Sequence, residues 1–177
     1  SWNKKFIRFA DHTAASLKNF FCGSNKNNLH SDANKIFNYV QSFLKDNNYN
    51  EKIIIMGRSL GSASACEIIS NNEDSIDGCI IESGFGTELP LMNMFGIQAS
   101  DIGYKPEDGF ENLRKLISYS KPILIIHADR DDIIPIDEAK EMYNKVGSNK
   151  KDLWIIEGAN HNNILMHTQI NYFQRIK

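Results

Sequence analysis

The sequence predicts an α/β fold: a doubly wound, mostly parallel sheet with helices on both faces. Three observations carry the prediction. Short apolar runs alternate along the chain with stretches of helical periodicity, the pattern of parallel strands joined by crossover helices. The apolar runs are continuous rather than alternating, as in Ile53-Ile54-Ile55-Met56 and Ile123-Leu124-Ile125-Ile126, which implies strands buried on both faces. The composition, 41% hydrophobic and 24% charged over 177 residues, is that of one ordinary globular domain spanning residues 1–177.

The elements follow in chain order. A first strand is expected over residues 5–10. A helix comes next, capped by Ser31, with Asp32 at the positive end of its dipole and Ala33, Ile36, Phe37, Val40 and Phe43 in one stripe facing the sheet. Further strands are expected at 52–56, 78–82, 122–127 and 152–157, each short and rich in Ile, Phe or Trp. Helices fit 60–70, 111–118, 137–146 with Gly147 as its stop, and a C-terminal piece at 163–176. Residues 85–109 lose periodicity and are punctuated by Gly86, Pro90, Gly96, Gly103, Pro106 and Gly109. They read as an irregular, partly helical excursion near a substrate entrance, where Met92, Met94 and Phe95 serve as core or lining.

Composition also narrows the function classes. The formal net charge is −2, so no basic excess exists to neutralise a nucleic-acid backbone or an anionic membrane surface. No apolar run approaches the roughly 20 residues needed to cross a bilayer. The three cysteines, Cys22, Cys66 and Cys79, are odd in number and lie in no CxxC spacing, which argues against a disulfide framework or zinc site and for a reducing cytoplasm. Asp11, His12 and Asp131 fit no metal-ligand spacing, and no metal or other cofactor is expected.

The sharpest local feature is Gly57-Arg58-Ser59-Leu60-Gly61, a G-x-S-x-G pentapeptide between an apolar strand and a small-residue helix start. A serine there must turn sharply through strained backbone, and the two glycines remove Cβ atoms that would collide across the turn. The hydroxyl of Ser59 is left exposed, and the Leu60 backbone N–H is aimed at an oxygen bound beside it, half of an oxyanion hole. Serine is a poor nucleophile at neutral pH and needs a base, which needs a partner to hold its tautomer. The 122–127 strand runs into Asp129-Arg130-Asp131-Asp132, and the 152–157 strand runs into Gly158-Ala159-Asn160-His161. His161 is the natural base. Asp131 leads Asp129 and Asp132 as its orienting acid, with Glu82, at the end of an earlier strand, as runner-up. His127 reads as a structural brace for the acid loop, and His167 as a surface residue.

These segments resemble the α/β-hydrolase family, in particular its small lidless serine hydrolases, the esterase and depalmitoylase branch of α/β-hydrolase-domain-containing proteins 13 and 17. Ile54 to Ser62 resembles the family's nucleophile elbow. His127-Ala128-Asp129-Arg130-Asp131-Asp132-Ile133-Ile134-Pro135 resembles its acid-loop pattern I-H-G-x-x-D-x-I-V-P, with Ala128 in place of the glycine. Aligning that pattern on His127 and Pro135 puts the acid on Asp131. Gly158 to His161 resembles the histidine loop, and the order Ser59, Asp131, His161 is the family's order. Residues 6–16 resemble a later strand whose usual D-Y-R-G-Y-G-x-S ending is replaced here. Roughly a hundred residues usually precede the nucleophile in this fold, and 58 precede Ser59 here. The domain is therefore expected to be N-terminally truncated, with its front strands and their oxyanion loop missing.

The resemblance implies a serine hydrolase, cleaving a small-molecule carboxylic ester or thioester through an acyl-enzyme. Ser59 would be the nucleophile, His161 the base, Asp131 its orienter and the Leu60 amide the oxyanion donor, with no nucleic-acid partner and no membrane span. The alternatives are a peptidase on the same fold and a noncatalytic binding protein with this fold.

Overall fold

The computed structural model describes residues 5–9, 25–94 and 96–176. Ala10, Asp11, His12, Cys22 and Phe95 lie outside them. Five strands, β1 (Lys5–Phe9), β2 (Ile53–Arg58), β3 (Gly78–Glu82), β4 (Ile123–Ala128) and β5 (Lys151–Ile156), form one sheet in sequential order, every neighbouring pair parallel. The helices are α1 (Asn25–Asp46), α2 (Gly61–Asn71), α3 (Leu89–Met94), α4 (Asn112–Ser118), α5 (Ile136–Lys145), α6 (Ile164–Thr168) and α7 (Ile170–Arg175). Successive right-handed crossovers to an adjacent strand stack their helices on one face, and the core records it. Ile55, Cys79, Ile81, Ile123 and Ile125 pack with Phe37 of α1, Ile68 and Ile69 of α2, Leu116 of α4 and Met142 of α5. The alternate residues Met56, Ile80, Ile126 and Ile156 face the other way, against Ile164 of α6 and Tyr172 of α7. The parallel α/β sheet is thus present with helices on both faces, although the described strands follow one another in a single direction and the crossover helices share one face.

Several boundaries differ from the sequence reading for identifiable reasons. Helix α1 begins at Asn25, so Ser31 lies within it rather than capping it. The added turns bring Leu29 against a small cluster around Leu60 and Phe110. They also bring His30 Nδ1 to 3.4 Å from Glu67 Oε2. Glu67 is held by Lys115 Nζ at 2.6 Å and by Asn71 Nδ2 at 2.7 Å. Burial would push the Glu67 carboxyl up, but Lys115, His30 and Asn71 together outweigh it and the net shift is downward. This polar knot ties α1, α2 and α4 together, and long-range pairs of that kind have no periodic signature. The α1 stripe is also narrower than expected: Ala33, Phe37 and Leu44 are buried, whereas Ile36 and Phe43 are each 48% exposed.

Gly147 follows α5 but is not its left-handed cap, since the turn is made by Val146 in extended geometry (φ −58°, ψ 135°). A Cβ on Gly147 would stand 2.3 Å from the Ile117 carbonyl oxygen, so the glycine admits a close backbone approach to the end of α4. The C-terminal piece is two helices rather than one, broken at Gln169 (φ 48°, ψ −127°). The break lets Thr168 and Tyr172 both be buried while Leu165, Met166 and Ile170 face outward.

Candidate active site

The site lies at the C-terminal edge of the sheet, where such folds place ligands. Strand β2 ends at Arg58, α2 begins at Gly61, and the two residues between them make the turn. Ser59 adopts φ 51°, left-handed backbone that costs an L-residue roughly 1–2 kcal/mol. Two features hold it there. Its N–H donates to the Glu82 carbonyl of β3 at 3.0 Å, and its own carbonyl accepts from Ser62 N–H at 2.9 Å. Gly57 makes the approach possible, because a Cβ there would meet the Gly61 carbonyl oxygen at 2.5 Å and the Ala65 Cβ at 2.6 Å. Leu60 enters the helix at φ −57°, ψ −29°.

The structure brings Ser59, His161 and Asp131 together from three strand ends. Ser59 Oγ lies 3.0 Å from His161 Nε2, and His161 Nδ1 lies 2.8 and 3.0 Å from the two Asp131 oxygens. A proton on Nδ1 donated to Asp131 leaves Nε2 as an acceptor for the serine hydroxyl. His161 is 4% exposed and the Asp131 side chain is fully buried. Asp131 Oδ1 also accepts from the amides of Ile133 and Ile134 at 3.0 and 2.8 Å. Burial alone would raise its carboxyl, but the His161 hydrogen bond and the two amides outweigh that and lower it on balance. The result is an anion fixed beside an imidazole.

The loop carrying Asp131 is braced from below. Buried His127, near the end of β4, donates from Nε2 to the Ile134 carbonyl at 2.9 Å. Burial pushes its imidazole pKa down, keeping it neutral in that role. The opposite loop is shaped by Gly158 at φ 76°. There Asn163 Oδ1 accepts from the Asn160 amide at 2.6 Å, and Arg130 N–H donates to the Ala159 carbonyl at 3.0 Å, joining the acid and histidine loops.

Glu82, the runner-up acid, does not meet the imidazole. Its Oε1 pairs with Arg58 Nε at 3.0 Å and its Oε2 accepts from the Tyr172 hydroxyl. The physical reason is register: in the parallel pair β2–β3, Arg58 stands opposite Glu82, so the guanidinium claims the carboxylate. Asp129 and Asp132 make no contact with His161 among its hydrogen bonds and ion pairs. Arg58 is the residue that sequence reasoning passed over. Its Nη2 donates to the His161 carbonyl oxygen, and the available signal was a charge at the second position of the pentapeptide, at the end of a buried strand. A cavity of about 370 Å³ opens beside it, between His161, Asn162 and the helices α6 and α7.

Two residues of the segment that follows β3 pack beside the elbow. Phe85 and Leu91 join Leu60, Ala63, Phe110 and Ile134 in a buried cluster, and the Gly86 and Thr87 amides donate to Glu138 Oε2 at 2.8 and 3.0 Å. Met92 is buried and Met94 is 43% exposed. Among the described residues, no group of three or more His, Cys, Asp or Glu could hold a metal ion, and no helix is long and apolar enough to cross a membrane.

Comparison with known proteins places the chain in a family. Residues 20–176 match the model of the prolyl oligopeptidase family. The α/β-hydrolase domain-containing protein 17C of Xenopus tropicalis is 30% identical over 128 residues, covering 72% of this chain and 38% of that protein. Its human counterpart is 29% identical, with 72% and 36% covered. The chain thus spans less than two-fifths of the length of these relatives. Among solved structures, a monoacylglycerol lipase of Paleococcus ferrophilus superposes with a TM-score of 0.59 at 14% identity, over 81% of this chain and 73% of that one. The Pyrococcus furiosus esterase Pf2001 does so with a TM-score of 0.59 at 21% identity, over 76% and 56%. The chain belongs to the prolyl oligopeptidase family and has the α/β-hydrolase fold.

Proposed function

We propose that this chain is a serine hydrolase that cleaves a carboxylic ester or thioester through an acyl-enzyme. The observation that carries the reading is the continuous hydrogen-bond path from Ser59 Oγ through His161 to Asp131, at 3.0 and 2.8 Å. In this mechanism His161 Nε2 takes the hydroxyl proton as Ser59 Oγ attacks the substrate carbonyl carbon. The oxygen that gains charge is stabilised by the Leu60 amide at the start of α2. His161 then protonates the leaving alcohol or thiol, and the serine ester remains. Water, deprotonated by the same imidazole, attacks that ester and returns Ser59 with release of the acid. Asp131 holds the Nδ1 proton and stabilises the imidazolium without itself being protonated. No metal or other cofactor enters the cycle.

The small-molecule ester class is supported by relatives in fold that are described as lipases and esterases. The family description, prolyl oligopeptidase, favours a second reading in which the same residues cleave an amide. We assign the chain to one domain and residues 85–109 to its entrance; the packing of Phe85 and Leu91 against Leu60 and Ile134 supports the second assignment. A reducing cytoplasm is supported by Cys66 and Cys79, free buried thiols. Burial pushes the Cys66 thiol up to about 12.

An active-site fluorophosphonate tests the nucleophile. Mass spectrometry should map the adduct to Ser59, and both Ser59→Ala and His161→Ala should abolish rapid labelling. A folded protein that does not label would overturn the reading in favour of a noncatalytic binding protein. A panel of p-nitrophenyl esters, acyl thioesters and fluorogenic peptides then separates the ester and amide readings, with ester or thioester turnover expected to dominate.

A further inference from the structure

We propose that Arg58 is a positioning residue for His161, aimed by Glu82 and Tyr172; the inference rests on the serine-hydrolase reading above. Arg58 sits one residue before the nucleophile, and its side chain spans two partners from distant parts of the chain. Its Nε faces Glu82 Oε1 at 3.0 Å, while its Nη2 donates to the backbone carbonyl of His161 and lies 3.5 Å from Asn162 Oδ1. The guanidinium is planar and rigid, so fixing Nε against one carboxylate fixes the direction in which Nη2 points. Glu82 is fixed in turn by the Tyr172 hydroxyl of α7. The Arg58 and Glu82 side chains are 11% and 7% exposed, which leaves little water to screen the pair.

The consequence concerns distance. His161 hangs on a loop, yet its Nε2 must stay within hydrogen-bond reach of Ser59 Oγ through attack, protonation and release. Asp131 holds the ring at Nδ1; Arg58 holds the backbone carbonyl of the same residue. The elbow therefore carries its own strut to the base: Arg58 is covalently next to Ser59, so any shift of the turn moves nucleophile and strut together. The arrangement also makes α7, which supplies no group to the reaction, a support for it through Tyr172.

Lysine tests the geometry because it keeps the charge but offers one ammonium on a flexible stem, unable to hold two acceptors at a set angle. With p-nitrophenyl acetate as probe and the full chain, Arg58→Lys should lower kcat by roughly 10- to 100-fold, the scale of a 1 Å misplacement, with KM changed by less than about twofold. In a His161→Ala background the same substitution should cost nothing further. Tyr172→Phe retains both charges and should fold where Arg58→Lys does not; it should lower kcat by about three-fold, again only when His161 is present. In parallel, proton NMR with 15N-histidine labelling should show the Asp131-bonded Nδ1 proton of His161 in the parent, and its loss or broadening in Arg58→Lys. Unchanged kcat and an unchanged Nδ1 signal would overturn the proposal, as would an equal loss of rate in the His161→Ala background. Absence of Ser59-dependent turnover in the parent would instead defeat the hydrolase reading, and the Nδ1 signal would still decide whether Arg58 positions the imidazole.

Discussion

Two adjacent strand ends in this molecule make the same turn and differ in what meets them. Ser59 after β2 and Ser83 after β3 both sit in left-handed backbone, at φ 51° and 45°. Each N–H donates to the neighbouring strand, Ser59 to the Glu82 carbonyl at 3.0 Å and Ser83 to the Ile126 carbonyl at 2.9 Å. Past that point they diverge. Ser59 Oγ reaches His161 Nε2 at 3.0 Å, whereas Ser83 Oγ is buried with no hydrogen-bond partner among the described residues. Gly84 explains part of the difference: a Cβ there would come 2.8 Å from the Ser62 Cβ, so the second turn is packed beneath the start of α2. A strained serine at a strand end is therefore not a nucleophile by virtue of its backbone. It becomes a candidate when a later loop delivers a base to it.

The largest expected effect breaks the comparison outright. Ser59→Ala should lower ester turnover by roughly 10⁶-fold, the scale seen when a serine–histidine unit is disabled, while its circular dichroism and melting temperature stay close to the parent's. Asp131→Asn should follow at about 10⁴-fold, because an amide that donates toward Nδ1 favours the wrong imidazole tautomer; steady-state kinetics across several pH values would check it. Gly57→Ala should destabilise the fold by about 2–4 kcal/mol through overpacking at the elbow, measured by chemical denaturation.

A subtler effect appears in acid. Asp131 is more acidic in the fold than free, so its contribution to stability is complete above its unfolded value near 3.9 and is lost as pH falls through the folded value. The parent should lose thermal stability below about pH 4, and Asp131→Asn should remove part of that slope. The smallest effect sharpens the comparison. Ser83→Ala should leave turnover within about twofold of the parent and change stability by less than about 1 kcal/mol, since it removes a buried hydroxyl with no hydrogen-bond partner among the described residues. A large loss of turnover from this variant would mean that the two turns are not distinguished as argued.

Sequence alone made the strands legible because each is short and rich in Ile, Phe or Trp, and their observed bounds differ by at most two residues. It made Ser59, Asp131 and His161 legible as candidates because each lies just beyond such a run, and parallel strands put those ends on one edge. What it concealed depends on pairing between distant residues. Glu82 looked like a candidate acid until register set it opposite Arg58. The early start of α1 depends on contacts of Leu29 and His30 with residues far along the chain. The break at Gln169 has no proline or glycine to announce it, and follows from burying Thr168 and Tyr172 on the same side. Gly147 stops α5 in the sequence pattern, yet its role in the fold is to admit the close approach of the Ile117 carbonyl, a contact between distant residues.

The sequential strand order has a consequence for the growing chain. Each of these strands docks beside the one made just before it, so assembly can follow synthesis from β1 to β5 without waiting for a distant partner. Ser59 leaves the ribosome 102 residues before His161. Through all the intervening translation the nascent protein carries the serine with no imidazole to activate it. Reactivity, on the proposed mechanism, arrives with the loop that carries His161, and a product stopped short of it is inert toward acyl groups.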